Sequence, residues 1–163
     1  GASRRFAFMH WPGFDQIAWN LILSESNRSR FSQVLAPIQG SDRDAGAIDS
    51  AIANAERAGV AEFIEFTSRA VSAIEPPPGP GWVVTNPPYG LRVSGSKDLR
   101  NLYAQFGNVL RVHCQGWQAA FLTSDNSLAR QTQMTFSTTQ RFINGGVQVK
   151  LYCGSLSAKP EDN

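Results

Sequence analysis

The sequence predicts an α/β fold: a mostly parallel sheet covered by helices, with an antiparallel hairpin at its C-terminal edge. Two observations support this prediction. Short apolar runs alternate with segments of helical periodicity, and two strand-like runs near the C-terminus flank Asn144-Gly145-Gly146. Alternating strands and helices form parallel sheets, whereas Asn-Gly between two strands signals a hairpin. The length of 163 residues suits one domain, residues 1–163, with its own core.

The first half of the chain contains two predicted helices and two predicted strands. Apolar residues recur at helical spacing over residues 14–27, which predicts the first helix. Val34–Ile38 is expected to be a buried strand that leads into a loop at residues 39–42. Asp44 is a favourable N-cap for the second helix, and residues 62–67 form the second predicted strand.

A proline-rich connector at residues 76–81 separates these elements from the second half, since it can form neither a helix nor a central strand. Trp82–Thr85 follows as a short apolar strand, and Ser96 can cap a long amphipathic helix. The core face of this helix is predicted to comprise Leu99, Leu102, Tyr103, Phe106, Val109 and Leu110. The remaining predicted elements are a strand at 117–122, a short helix at 126–131, and the hairpin strands at about 135–143 and 147–153.

The composition is that of a folded, water-exposed domain. Hydrophobic residues make up 42% of the chain and charged residues 17%, which is typical of globular proteins. No apolar run approaches the roughly 20 residues that cross a bilayer. Cys114 and Cys153 match no metal or redox spacing and are expected to be reduced. We therefore expect a cytoplasmic protein without a metal site.

The charge of the chain leaves the partner open. The net charge is only +2, but the basic residues comprise 12 Arg and 3 Lys. Arginine is suited to binding phosphate and guanine edges. The same bias arises in a GC-rich genome without any functional meaning, so both explanations remain open.

The tetrapeptide Asn86-Pro87-Pro88-Tyr89 directly follows the predicted strand at Trp82–Thr85. An exocyclic amine of a nucleobase is a poor nucleophile because its lone pair is delocalised into the ring. The side-chain oxygen of Asn86 and the backbone carbonyl of Pro87 can accept its two N–H bonds and favour the positive charge that develops on nitrogen. Consecutive prolines stiffen the loop, and the ring of Tyr89 can stack on the base. The tetrapeptide therefore predicts methylation of an exocyclic amino group; the alternative is an ordinary turn.

Five segments of the chain together carry a family resemblance. They are Arg5-Phe6-Ala7-Phe8 with Trp11-Pro12, Gly40-Ser41-Asp42-Arg43-Asp44, Thr85-Asn86-Pro87-Pro88-Tyr89-Gly90, Asp98-Leu99-Arg100-Asn101-Leu102-Tyr103, and Asn144-Gly145-Gly146. With these segments the chain resembles the class I methyltransferases, and within them the RNA methylase family that includes bacterial guanine-N2 methyltransferases of large-subunit ribosomal RNA. The resemblance covers most of the chain and implies a Rossmann-like sheet, S-adenosylmethionine as cofactor and RNA as substrate.

The resemblance also implies roles for individual residues. Asp42 would accept hydrogen bonds from the ribose hydroxyls of the cofactor, with Asp44 in the same loop and Ser68 beside the adenine ring. For Asp44 an N-cap role is an equally good explanation. Arg92 and Arg100 would meet RNA phosphate near the target base, although exposed arginines are often only solvated.

The chain departs from the family at its N-terminal side. Nothing in residues 1–40 matches the first strand of the family or its glycine-rich loop, an acidic residue followed by a Gly-x-Gly-like segment. We therefore expect an N-terminally incomplete catalytic domain that binds S-adenosylmethionine weakly and is inactive alone. Unpaired strand edges in such a sheet predict a homodimer or strand exchange.

Guanine-N2 methylation of ribosomal RNA is the leading functional prediction. Adenine-N6 methylation of DNA or RNA is a close alternative, because the tetrapeptide serves both reactions. Methylation of glutamine side chains uses the same tetrapeptide, but the stretch Asp98–Tyr103 argues against it. A non-catalytic RNA-binding fragment is the alternative from a different class.

Overall fold

The computed structural model describes residues 4–89 and 96–156, without the side chains of residues 96–98. The chain divides into two compact units, one ending at Arg69 and one beginning at Ala70. The prediction of a single domain over residues 1–163 stays a prediction. Within the described ranges, no helix combines the length and the apolar character that a membrane crossing requires.

The first unit contains two helices and a pair of parallel strands. In chain order they are α1 (Gln16–Arg28), β1 (Ile38–Asp42), α2 (Ala45–Ala58) and β2 (Ile64–Ser68), with short 3-10 turns at Ala7–His10 and Ala61–Phe63. Strands β1 and β2 pair in parallel from Ile38 opposite Ile64 to Asp42 opposite Ser68. Their carboxyl ends therefore lie side by side.

The predicted position of the first strand was wrong. The strand is Ile38–Asp42, so it contains the residues that we predicted to be a loop, and Val34–Pro37 precede it. Leu35 is 99% exposed. The apolar run led to a predicted strand that begins too early in the sequence. The actual position of the strand is decided by its backbone hydrogen bonds with β2.

Helix α1 forms where its periodicity predicts it and begins after the N-cap Asp15, whose carboxylate accepts hydrogen bonds from the backbone N–H groups of Ile17 and Ala18 at 2.9 Å. Its apolar stripe is not buried, because Ile17, Leu21 and Ile22 are all exposed. The stripe predicted the helix correctly, but no described residue covers these three side chains.

Helix α2 begins and ends as the sequence indicates. Asp44 is its N-cap and accepts a hydrogen bond from Gly46 N at 2.9 Å. Gly59 ends the helix in the left-handed conformation, with φ at 67°. Ile48 and Ala55 on its inner face are buried.

The second unit is built on a four-stranded sheet in the order β3-β4-β6-β5. Its elements are β3 (Trp82–Thr85), α3 (Ser96–His113), β4 (Gln118–Thr123), α4 (Asn126–Gln131), β5 (Thr138–Asn144) and β6 (Val147–Ser155). Strands β3 and β4 are parallel, whereas β6 is antiparallel to both β4 and β5. The predicted α/β fold, with parallel strands followed by a C-terminal antiparallel hairpin, is confirmed.

A single aromatic cluster forms the core of this unit. Phe121 at its centre is fully buried, and its ring centroid lies between 5.5 and 6.0 Å from those of Tyr103, Phe106, Phe136 and Tyr152. Leu99, Tyr103, Phe106 and Leu110 of α3 are buried in this cluster, and Leu102 packs against it half-buried, so the predicted core face of the helix is confirmed.

The hairpin turn consists of Gly145 and Gly146, whose φ angles are 56° and 81°. A two-residue turn with positive φ at both positions matches the right-handed twist of the flanking strands, and glycine adopts it without steric cost. The turn predicted from Asn144-Gly145-Gly146 is therefore confirmed.

Candidate functional site

The tetrapeptide lies at the carboxyl end of a strand, where its predicted chemistry requires it. Asn86 follows Thr85, the last residue of β3, and Thr85 is paired in parallel with Phe121 of β4. Asn86 is exposed and Pro87 is half-buried. Within residues 4–89 and 96–156, no hydrogen bond to the Asn86 side chain is formed, so its amide oxygen is available to a ligand.

A buried tyrosine holds the middle of this loop. The Tyr103 hydroxyl, on α3, donates a hydrogen bond to the backbone carbonyl of Pro88 at 3.4 Å. The Tyr103 side chain is completely buried, and its hydroxyl also interacts with the side chain of Thr123 at the end of β4. The prolines limit the φ angles of the loop, and Tyr103 ties it to the core of the unit.

The last residue of the tetrapeptide is held by the hairpin. Tyr89 is half-buried against the aromatic cluster, and its phenol oxygen accepts a hydrogen bond from Asn144 Nδ2 at 3.2 Å. Asn144 is the last residue of β5, directly before the glycine turn. The orientation of the Tyr89 ring therefore depends on a contact between two segments that lie far apart in the sequence.

Burial raises the pKa of Tyr103 to about 12, so the phenol stays protonated and can donate to Pro88 even at a pH near 10. The ordinary pKa is 10.0. The neutral phenol therefore contributes stability that is complete below pH 10 and is lost as the pH rises toward 12. We expect the free energy of unfolding to fall by about 2–3 kcal/mol over this range because of Tyr103.

Urea denaturation of the wild type and of Tyr103→Phe at several pH values measures this contribution. The variant should lack most of the fall, although Tyr152 and Cys114, whose pKa values are also raised by burial, remain in it. The same pH dependence in both proteins would contradict the role of Tyr103.

The first unit contains a cavity of about 240 Å³ at the carboxyl end of β1. It is lined by Gly40, Ser41, Asp42, Ala47, Ile48, Ala51 and Phe66. A Cβ atom on Gly40 would come within 2.9 Å of the Phe66 ring, so glycine is needed there to let the ring lie against the strand. Ala47, Ile48, Ala51 and Phe66 make most of the lining apolar, and Asp42 contributes one carboxylate.

Two of the predicted cofactor residues are brought together at the carboxyl ends of β1 and β2, although only Asp42 lines the cavity. Asp42 and Ser68 are the last residues of β1 and β2 and lie opposite each other in register. The Asp42 Oδ1 atom accepts a hydrogen bond from Asp44 N at 2.9 Å, which fixes the carboxylate and leaves Oδ2 without a hydrogen bond from the described residues. Both side chains are exposed.

Asp44 differs from Asp42 in what its side chain does. Its carboxylate caps α2, and the residue does not line the cavity. The N-cap role, which was an equally good explanation for Asp44, is therefore confirmed. A contact of Asp44 with a cofactor stays a prediction.

The two arginines predicted to meet RNA have different outcomes. Arg92 lies outside the described residues. Arg100 is exposed on α3. The pKa of Asp125 is lowered mainly by hydrogen bonding from Ser127, and the Arg100 guanidinium lowers it further. Arg100 thus interacts electrostatically with a carboxylate of its own unit, and its contact with RNA stays a prediction.

Sequence reasoning missed the residues that hold the tetrapeptide. Tyr103 was identified only as a core residue and Asn144 only as part of a turn. The hydroxyl of Tyr103 is not needed for apolar packing, and the side-chain amide of Asn144 is not needed for a turn. These two polar groups were the only local sign that the residues have hydrogen-bond partners. Because these groups bond to residues 15 and 55 positions away, no local pattern could identify their partners.

Comparison with known proteins gives consistent matches. Residues 2–152 match the family model of the RMKL-like methyltransferase domain. The ribosomal RNA large subunit methyltransferase K/L of Desulfotalea psychrophila is 31% identical over 165 residues, covering 99% of this chain and 23% of that protein. The chain thus spans about a quarter of the length of this curated relative.

Solved structures agree on the fold. A protein assigned as a methyltransferase and crystallised with SAH superimposes with a TM-score of 0.83 at 23% identity, covering 99% of this chain and 42% of that chain. A predicted N6-adenine-specific DNA methylase from Listeria monocytogenes has a TM-score of 0.78 at 26% identity, with coverages of 94% and 39%. Since the family model spans nearly the whole chain, the protein belongs to the RMKL-like methyltransferase domain family.

Proposed function

We propose that this chain is the target-base part of an enzyme that transfers a methyl group from S-adenosylmethionine to an exocyclic amine in RNA, N2 of guanine in ribosomal RNA. The observation that carries the proposal is the tetrapeptide at the carboxyl end of β3, with Asn86 exposed and the Pro88 carbonyl held by Tyr103. The resemblance to ribosomal RNA methyltransferases supports the choice of RNA. Such an enzyme works in the cytoplasm, in agreement with the free thiols of Cys114 and Cys153.

In this proposal the protein orients the amine. The Asn86 amide oxygen and the Pro87 carbonyl accept its two N–H bonds, so the nitrogen lone pair is directed away from the ring plane. When bound, S-adenosylmethionine would supply an electrophilic methyl group, and its sulfur would keep the electrons of the broken C–S bond. The oriented amine would form the N–C bond and then release a proton to solvent. Because the loop is anchored before the base arrives, little reorganisation is needed during the reaction.

In this proposal the cavity of the first unit would hold one part of the cofactor, its ribose and adenine. Asp42 Oδ2 would accept from the ribose hydroxyls, Ser68 would lie at the adenine side, and the Phe66 wall offers an apolar surface. Asp44 would act through Asp42, to which its backbone N–H donates. The structure solved with SAH supports a cofactor of this kind in the shared fold.

We expect the chain of 163 residues to bind S-adenosylmethionine only weakly and to have no activity alone, because this cavity offers one carboxylate and one hydroxyl but no glycine-rich loop whose N–H groups would hold the methionine part. Isothermal titration calorimetry measures the affinity. Asp42→Asn should weaken it further, with Asp49→Asn, an exposed carboxylate of α2, as the control. A low-micromolar dissociation constant for the monomeric wild type would contradict the prediction.

Mass spectrometry of nucleosides tests the reaction. The intact gene product is incubated with unmodified ribosomal RNA and S-adenosylmethionine, and the RNA is then digested. We expect N2-methylguanosine. Formation of N6-methyladenosine instead would establish the alternative, which the likeness to the Listeria methylase favours. Binding of RNA without any methylated nucleoside would point to the non-catalytic alternative.

The RNA and protein contacts are proposals of the same kind. Arg92 and Arg100 would bind phosphate beside the target base, and a second copy of the chain would pair with an open strand edge. Among the described strands, β1 pairs only with β2 and β3 only with β4, so each has one edge with free backbone groups. Sedimentation equilibrium tests the second contact: a stable monomer at micromolar concentration would contradict a homodimer or strand exchange.

A further inference from the structure

We infer that the β5–β6 hairpin and α4 carry a phosphate-binding cluster, formed by Arg130, Arg141 and Lys150, which holds the RNA backbone beside the target-base loop. This inference rests on the proposed function for the nature of the ligand. Its location rests on the structure of the second unit alone.

The charge distribution of this region is one-sided. Residues 126–156, which include α4 and both hairpin strands, contain Arg130, Arg141 and Lys150 but neither Asp nor Glu. The nearest carboxylate in sequence is Asp125, whose Oδ1 atom accepts a hydrogen bond from Ser127 N at 2.7 Å as the N-cap of α4. No described residue forms an ion pair with any of the three cations.

Two of the cations are direct cross-strand neighbours. Arg141 of β5 and Lys150 of β6 are opposite each other in the antiparallel register, so their side chains project from the same face of the sheet. Like charges in this position destabilise a sheet. The repulsion between the two side chains disfavours the fold, whereas a bound anion between them would offset it.

One of the cations is hydrogen-bonded to a polar group, and the other two act electrostatically on its neighbour. Lys150 Nζ and Tyr152 Oη both donate to Asn126 Oδ1, at 2.9 and 2.6 Å. Arg130 and Arg141 both interact electrostatically with the Tyr152 phenol, as does Asp125. The three cations outnumber the one carboxylate near Tyr152, Asp125, which is already used as a helix cap. The cluster therefore has a net positive charge, which is complementary to phosphate.

The strands that carry the cluster also lead to the tetrapeptide. Lys150 is opposite Thr123, the last residue of β4, and β4 runs parallel to β3, which leads into Asn86. The hairpin continues to Asn144, which donates to the Tyr89 hydroxyl. A phosphate bound at the cluster would therefore belong to the same stretch of RNA as the base that Tyr89 contacts.

Fluorescence anisotropy with a labelled single-stranded RNA oligonucleotide tests the inference, with the 163-residue chain and a series of salt concentrations. The double variant Arg141→Gln/Lys150→Gln removes the cross-strand pair. Arg28→Gln/Arg57→Gln, on the exposed surfaces of α1 and α2, changes the net charge by the same amount and serves as the control. Thermal unfolding of each variant verifies the fold.

We expect the cluster variant to lose about tenfold in affinity at low salt and its logarithmic salt dependence to decrease by about 0.7 for each lost phosphate contact. The control should bind like the wild type. Because the removed charges repel each other, the cluster variant should also unfold at a temperature no lower than the wild type. Equal losses in both variants, no loss in the cluster variant, or no RNA binding by the wild type would overturn the inference. The nucleoside analysis of the intact gene product decides the proposed function separately in each case.

Discussion

Replacing Asn86 with alanine in the intact gene product is expected to lower the rate of methyl transfer by about 100- to 1000-fold, the usual effect of removing one preorganised hydrogen-bonding partner from a transition state. The amide oxygen of Asn86 is one of two acceptors proposed for the target amine. Without it, the Pro87 carbonyl alone orients the nitrogen. The affinity for RNA should change little, since most of it comes from phosphate contacts.

Single-turnover kinetics with saturating RNA measures this effect without interference from product release. Asn108→Ala, an exposed asparagine on α3, is the matched control and should keep the wild-type rate. Asn86→Asp retains an oxygen acceptor and should lose less activity than Asn86→Ala. An alanine variant with a rate within a few-fold of the wild type would exclude Asn86 from the reaction and, with it, the proposed role of the tetrapeptide.

Replacing Phe121 with alanine is expected to lower the free energy of unfolding by about 3–5 kcal/mol, the usual cost of truncating a fully buried phenylalanine. The Phe121 ring is in contact with four other aromatic rings, contributed by α3, β6 and the segment before β5. Because these rings belong to several elements, the cavity left by the truncation cannot be filled by the movement of one side chain.

Urea denaturation followed by circular dichroism measures the loss. Phe31→Ala is a matched control, since Phe31 is 91% exposed, and its truncation should cost less than about 0.5 kcal/mol. A loss below about 1 kcal/mol for Phe121→Ala would show that the aromatic cluster is not the structural core of the second unit. Because Tyr103 packs on Phe121 and holds the Pro88 carbonyl, the Phe121→Ala variant should also transfer methyl groups more slowly.

The sequence alone determined the elements whose signals are local. The strand at Trp82–Thr85 and the tetrapeptide after it, the cap of α2 at Asp44, and the turn at Gly145-Gly146 all lie where they were predicted. The core face of α3 was also predicted correctly. In each case the determining residues lie within one helix, one strand or one tight turn, so periodicity and capping chemistry are sufficient.

Only the tertiary structure decided the features that depend on residues distant in the chain. The backbone of β1 pairs with β2 at Ile38–Asp42 rather than at the more apolar run before it. Tyr103 holds the Pro88 carbonyl across 15 positions, and Asn144 holds Tyr89 across 55. Strand register and a single hydrogen bond leave no periodic trace in the sequence. The sequence therefore identified the loop that is proposed to contact the target base, whereas the hydrogen bonds that anchor this loop were decided by the fold.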